Sequence, residues 1–392
     1  MRKFVQVVRQ SIPNPAEYPE HRLFCLDLLR GIDMFMLVAL HGILVAVGKI
    51  FSFPDWWSYH LNHPAWVGFS FWDMIMPLFI FMCGAAVPFA LGRRLDENGR
   101  PTLAYWRHVL SRVAILWILG MMAQGRLLTL DLSKISPFNN TLQSIASGYL
   151  IAAVVFALPW RKLQIAAPIV LAVLYAALMH FLGDYTKDGN FAQAVENWVV
   201  PHIMPAGNRA LELADKGYTW WLTILMFGAM TLCGMEATRI LTAKWDKKRR
   251  FAVLAALGAV LLAVGWAFVP WIPCIKHLYT FTFTAQAMGW CCLALALLYY
   301  LTDILMLRRG LWLFTLFGQT ALLAYVSQSV FRGVFTSFAN QLTQGVPHAF
   351  GESARPLLSW LAATALLVAI LCTWRAAKRA WKQERQPVTP QT

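Results

Sequence analysis

Charge is what this sequence has least of. Only 14% of its 392 residues are Asp, Glu, Lys or Arg, where a soluble globular domain carries about 25%. So little polar surface cannot cover a water-borne core, and the 58% hydrophobic content needs a surrounding other than water. Acidic residues are scarcer still, 19 against 34 basic ones. Cysteine is too sparse for a disulfide framework: six of the seven fall at or within apolar runs, where Cys acts as a small apolar side chain, and only Cys274 lies near a loop. There is no CxxC, HExxH or Walker-type sequence, and His60 and His63 supply too few ligands for a metal site. The first 22 residues lack the apolar region and small-residue cleavage site of a signal peptide. Together with Pro13, Pro15 and Pro19, this predicts an irregular basic leader over 1–22 and a retained first span. No repeat relates the two halves of the chain, which removes one pointer to a transporter.

What the chain has instead is a series of apolar runs, each long enough to cross a hydrocarbon core of about 30 Å. Ten spans are predicted, near 28–49, 71–92, 107–124, 142–158, 163–182, 218–239, 251–270, 280–303, 311–331 and 356–376. The expected fold is an all-α polytopic bundle, with a membrane domain over 23–380 and a short tail over 381–392. With a cytoplasmic N-terminus, 25 of the 34 basic residues fall on one side of such a bundle and nine on the other. That asymmetry is the positive-inside rule, and it sets both termini in the cytoplasm. The net charge of +15 is thereby assigned to membrane orientation, and nucleic acid is excluded as a partner.

Ionisable residues inside spans are costly and are candidates for function. The first span, LDLLRGIDMFMLVALHGILVAVG, holds Asp27, Arg30 and His41. Asp27 and Arg30 are three apart and share a helix face. Arg30 and His41 are eleven apart, about 20° past three full turns of an unbroken α-helix. Asp27, Arg30, Met34, Leu37 and His41 are thus expected to form one stripe, with His41 near the midplane. Gly31 and Gly42 admit close helix neighbours. Two readings stay open for each polar group: a structural ion pair or a functional one for Asp27 and Arg30, and a hydrogen-bonded core histidine or an active one for His41.

The stretch HPAWVGFSFWDMIMPLFIFMCG begins as a loop and ends as a span. Pro77 cannot donate to the carbonyl of Asp73, so a kink is expected there. A tryptophan-rich interface explains the aromatic content but not the grouping of His60, His63 and Asp73. A carboxylate holding one imidazole nitrogen leaves the other as a base, the logic of a His-Asp pair; the bland alternative is a loop histidine. Arg126, Gln143, Lys276, Asp303 and Gln319 stand at span ends, as anchors, interhelical hydrogen bonds or site residues.

These residues carry a resemblance. LDLLRG, then His63, Trp66 and Gly68, then Asp73, Pro77, Phe79, Phe81 and Gly84 follow an LDxxRG, H-x-x-W-x-G, D-x-x-x-P-x-F-x-F-x-x-G order. TLQSIASGYL, IPCIKHLYTFTFTAQAMGW and FGQTALLAYVSQ add matches along most of the membrane region. The chain resembles heparan-alpha-glucosaminide N-acetyltransferase and its bacterial relatives, transmembrane acyltransferases. It departs from them at His41, where relatives carry Asn, and in NRALELADKGYTWW, which lacks their acidic-Pro-Glu-Gly motif. The resemblance implies a multi-pass acetyltransferase of a bacterial inner membrane, moving an acetyl group from cytoplasmic acetyl-CoA to an amino sugar across the bilayer, with no metal. It implies His63 and Asp73 as catalytic residues, with His63 as general base or covalent carrier; His41, where the chain departs from its relatives, is expected to join them by positioning the thioester carbonyl or relaying a proton. Asp27, Arg30, Arg107, Arg112, Gln143 and Lys276 would hold the donor; His60, Trp66, Arg126 and Gln319 would hold the acceptor. A homo-oligomer is compatible with this reading. An O-acyltransferase of a surface glycan and a sugar transporter remain as alternatives.

Overall fold

A computed structural model describes residues 23–51, 53–124, 127, 131, 138–204, 219–345, 347 and 351–384. The expected leader over 1–22 and Arg126 lie outside these residues, as do most of the NRALELADKGYTWW stretch and most of the tail. The helices are α1 (Phe24–Ile50), α2 (Asp55–Leu61), α3 (Phe71–Gly92), α4 (Leu103–Ala123), α5 (Thr141–Phe156), α6 (Arg161–Leu182) and α7 (Phe191–Ile203). They continue with α8 (Trp221–Thr242), α9 (Lys247–Ala267), α10 (Phe281–Ile304), α11 (Trp312–Gln319), α12 (Ala321–Val330), α13 (Arg332–Leu342) and α14 (Ala354–Glu384).

The sequence sets several of their starts. Thr102, Asn140, Asn190 and Asp246 each accept a backbone N–H of the first turn with a side-chain oxygen, capping α4, α5, α7 and α9. Each of the ten expected spans coincides with helix. Seven helices among the described residues, α1, α3, α6, α8, α9, α10 and α14, are long and apolar enough to cross a membrane singly. The other three positions fall short for visible reasons. Arg107 and Arg112 interrupt the apolar run of α4. Helix α5 has 16 residues, about 24 Å of rise. The 311–331 run is broken between α11 and α12 at Thr320, whose φ of −124° and ψ of 24° are not helical.

The chain forms two compact units. One comprises Met1–Leu61 and Leu301–Thr392, in which α1 packs on α11 and on α14, and α14 packs on α13. The other is Asn62–Tyr300. Its centre is α8, which packs on α3, α5 and α6, while α4 covers α5 and α9 lies along α10. Phe81, Phe227, Met230 and Met235 are fully buried between these helices.

In the first unit, α1 is not the unbroken helix that the Asp27-to-His41 stripe requires. Met36–Leu40 is a π-helical segment. Such a bulge takes one extra residue into a turn and rotates everything beyond it by about 100°. Asp27 and Arg30 therefore precede the rotation and His41 follows it. The start of α1 is fixed by Asp303, which accepts the backbone N–H groups of Phe24 and Cys25 at 3.3 and 3.1 Å. A residue 279 positions away thus caps the first helix, and Arg308 supports it with a guanidinium 3.4 Å from the carboxylate.

Candidate functional site

The site assembles in the unit Asn62–Tyr300, on two loops pinned against each other. Val67 and Ile275 form an antiparallel bridge, and the Gly68 N–H donates to the Cys274 carbonyl at 2.8 Å. Gly68 holds φ at 141°, a backbone conformation that side chains disfavour, and so permits this approach. The second loop is stiffened from within and from outside. Thr280 Oγ1 accepts from the Ile275 N–H at 3.0 Å and donates to the Pro273 carbonyl at 2.9 Å. Trp220 Nε1 donates to the His277 carbonyl at 2.9 Å, and the Tyr175 hydroxyl donates to the Leu278 carbonyl. Backbone held this way offers fixed positions for the side chains it carries.

Three of those side chains converge. Asp73 is fully buried in the first turn of α3, a 3₁₀ turn over Phe71–Met74. Its Oδ2 accepts the Ser70 N–H at 2.9 Å, which leaves Oδ1 facing the loops. His63 Nδ1 lies 2.6 Å from Oδ1, and Lys276 Nζ lies 3.1 Å from the same oxygen. The ammonium is also 3.1 Å from Nδ1 and 3.3 Å from Nε2 of His63, so it rests against the ring rather than on one nitrogen. Burial holds the Lys276 ammonium below its usual range, and the Asp73 carboxylate pulls it back up. Cys274, two residues earlier, is pushed up to about 12 by burial and the Asp73 charge, which favours the protonated thiol.

The chemical content follows from the short contact. With Asp73 ionised, Nδ1 carries the proton it donates to Oδ1, and Nε2 is left with its lone pair. The His63 side chain is 49% exposed while Asp73 is wholly covered. A base that meets solvent is thus backed by an orienting carboxylate that does not.

The remaining sequence candidates distribute as follows. Trp66 stands beside the triad, with its indole N–H on the Tyr185 carbonyl at 2.8 Å. Its ring stacks on His277 at 5.4 Å, and Lys187 lies 5.6 Å from its centre. Gln143 is buried and accepts the Asn139 N–H at 2.8 Å, so its carbonyl oxygen ties a loop to α5. Arg112 lies 4.5 Å over the Tyr149 ring, and Arg107 is exposed on α4. In the other unit Asp27 and Arg30 pair at 3.4 Å. His41 is half-buried, with Nε2 3.2 Å from the Leu61 carbonyl. His60 is exposed on α2, its ring nearly perpendicular to that of Tyr59 with the two centres 5.2 Å apart, and Gln319 ends α11 half-buried.

Two features escaped the sequence reading. Lys276 was expected among donor-binding residues, and its contact with His63 and Asp73 was not foreseen. Only the fold reveals that, since 213 residues separate it from His63. Asp33 was not singled out. It is fully buried in α1, and neither of its oxygens has a hydrogen-bond partner among the described residues; its presence as an acid within a span was the available signal. Compared with known proteins, the chain matches no family model and no curated protein, so the resemblance to transmembrane acetyltransferases rests on its motifs.

Proposed function

We propose that this chain is a multi-pass membrane acetyltransferase that moves an acetyl group from acetyl-CoA to the amine of an amino sugar. The observation that carries this reading is the 2.6 Å contact between His63 Nδ1 and a buried Asp73 Oδ1, with Nε2 of a half-exposed ring left to act as base. In the proposed step, His63 Nε2 takes a proton from the acceptor amine as its nitrogen attacks the thioester carbonyl. The tetrahedral intermediate then expels the CoA sulfur, which leaves with the proton from His63. Asp73 holds the ring in the required tautomer. Lys276, against the same ring, is the cation nearest to the oxyanion that develops.

The motif order around His63 supports acyl transfer over general hydrolysis or transport. The ten helical positions and the excess of basic residues on one side support ten crossings with both termini in the cytoplasm, in a bacterial inner membrane. Donor phosphates would then meet the basic face that includes Arg107 and Arg112.

The test is direct. Purified protein with acetyl-CoA and glucosamine should release CoA thiol and yield N-acetylglucosamine. His63→Ala should lose about 10²–10⁴-fold in turnover, the usual worth of a general base, while eluting and melting as the wild type does. Wild-type turnover in that variant rejects the assignment. Glucosamine uptake into liposomes without acetyl-CoA favours the transporter instead, and acetylation of hydroxyls alone favours the glycan O-acyltransferase.

A further inference from the structure

A second feature of the unit Asn62–Tyr300 belongs to no part of the acetyl-transfer chemistry. Helix α6 packs on α8 and helix α9 packs on α10, and a cleft of about 620 Å³ opens between the two pairs. Small or flexible side chains such as Ala229, Ala285 and Met288 form its floor. Ile165, Ile169 and Val173 of α6 and Val260 of α9 form walls that are each about half exposed. The shaft is apolar along its length and ends in charge, at Arg161 and Glu236. From Arg161 to Val173 it runs about 18 Å along α6, close to the depth of one leaflet of a 30 Å hydrocarbon core.

The charged end is biased to one sign. Glu236 Oε1 accepts Nη1 of both Arg161 and Arg239, each at 2.7 Å. Arg161 also gives Nη2 to Glu236 Oε2, which uses two of its five N–H donors and leaves three. Its side chain is 48% exposed, and exposed Lys162 follows it. The KKRR start of α9 emerges at the same end. Trp160, next to Arg161, and Trp245, in the turn before α9, are 62% and 38% exposed, the residue type found at membrane interfaces.

We propose that this cleft seats one acyl chain of an anionic phospholipid, with the headgroup phosphate on Arg161 and Lys162. An apolar shaft one leaflet deep, capped by surplus cations at the interface, matches that amphiphile in both length and charge. A second copy of the chain would not require the cationic cap, and a neutral lipid would leave it unanswered.

The experiment is native mass spectrometry of the full-length protein after detergent exchange, with phosphatidylglycerol and phosphatidylcholine of identical chains in equal amounts. Wild type should retain phosphatidylglycerol in preference, by about fivefold for each basic side chain engaged. Arg161→Gln with Lys162→Gln should bring the two lipids close to parity. Glu236 keeps Arg239 in that variant, so no carboxylate is orphaned. Ala172→Trp, on the half-buried wall, should plug the shaft and lower retention of both lipids. Equal retention by wild type overturns the proposal without recourse to any variant. So does unchanged retention in Ala172→Trp, including the case where that variant instead splits a dimer and reveals the cleft as a contact between copies.

Discussion

A buried ammonium is tolerable only beside a counter-charge, and Lys276 has one in Asp73 at 3.1 Å. Burial still dominates, so folded Lys276 gives up its proton more readily than the same lysine in an unfolded chain. Between that lowered value and the ordinary lysine value near 10.4, the unfolded state binds more protons. Stability therefore rises with pH across this window. Asp73→Asn removes the opposing charge and should deepen the effect. The melting midpoint of Asp73→Asn should climb more steeply than that of wild type as the pH rises toward the ordinary lysine value near 10.4; a slope equal to the wild type's would mean that Asp73 does not hold Lys276. The His63–Asp73 pair was legible in sequence because the two partners stand ten positions apart in one loop-to-helix stretch. Lys276 was legible only as a lysine in a familiar motif. Its contact depends on the Val67–Ile275 bridge, which no local pattern encodes.

Helices in a bilayer gain no hydrophobic driving force from meeting one another, so close backbone approach has to supply the contact. Each unit contains a tight reciprocal crossing of this kind. A Cβ on Gly84 of α3 would lie 1.7 Å from the Thr231 carbonyl oxygen, and one on Gly234 of α8 would lie 1.9 Å from that of Phe81. In the other unit, Gly31 of α1 and Gly318 of α11 stand in the same relation to Phe314 and Asp27, at 1.7 and 1.9 Å. The obstacles are backbone atoms, which no rotamer change relieves. Gly84→Ala should therefore lower stability by at least about 1–3 kcal/mol, whereas Gly92→Ala, with nothing within 4 Å of its added carbon, should not. Matching thermal midpoints for the two variants would show that α3 and α8 are not packed as described. Element positions were legible because apolar run length determines them. Element interiors were less so: the π segment in α1 and the 3₁₀ start of α3 depend on packing and capping. The expected kink at Pro77 gave way to that 3₁₀ start, because Pro77 lies in the first turn of the Ile75–Ala85 helix, where its missing N–H costs little.

At the scale of the whole molecule, one helix gives the unit Asn62–Tyr300 a polarity. Helix α6 runs 22 residues, about 33 Å, from Arg161 to Leu182. At its first end lie Glu236, Arg239 and the basic start of α9. Just past its other end, Tyr185 accepts the Trp66 indole N–H and Lys187 approaches the same ring, three residues on from His63. The triad and the basic cluster thus lie near opposite ends of α6, and under the proposed reaction an acyl donor held at the basic end would have to extend its thioester most of the length of that helix. Topology decides whether that end faces the cytoplasm. Exposed Arg100, in the turn between α3 and α4, and exposed Lys187 serve as markers once changed to cysteine. Most native thiols are buried, so a membrane-impermeant maleimide should report mainly the added cysteine. In right-side-out spheroplasts, Lys187→Cys should label before lysis and Arg100→Cys only after it. The reverse pattern would turn the molecule over, placing His63 in the cytoplasm and removing the need for transfer across the membrane. Labelling of both positions from one side would break the single crossing of α6 on which the opposition of the two ends depends.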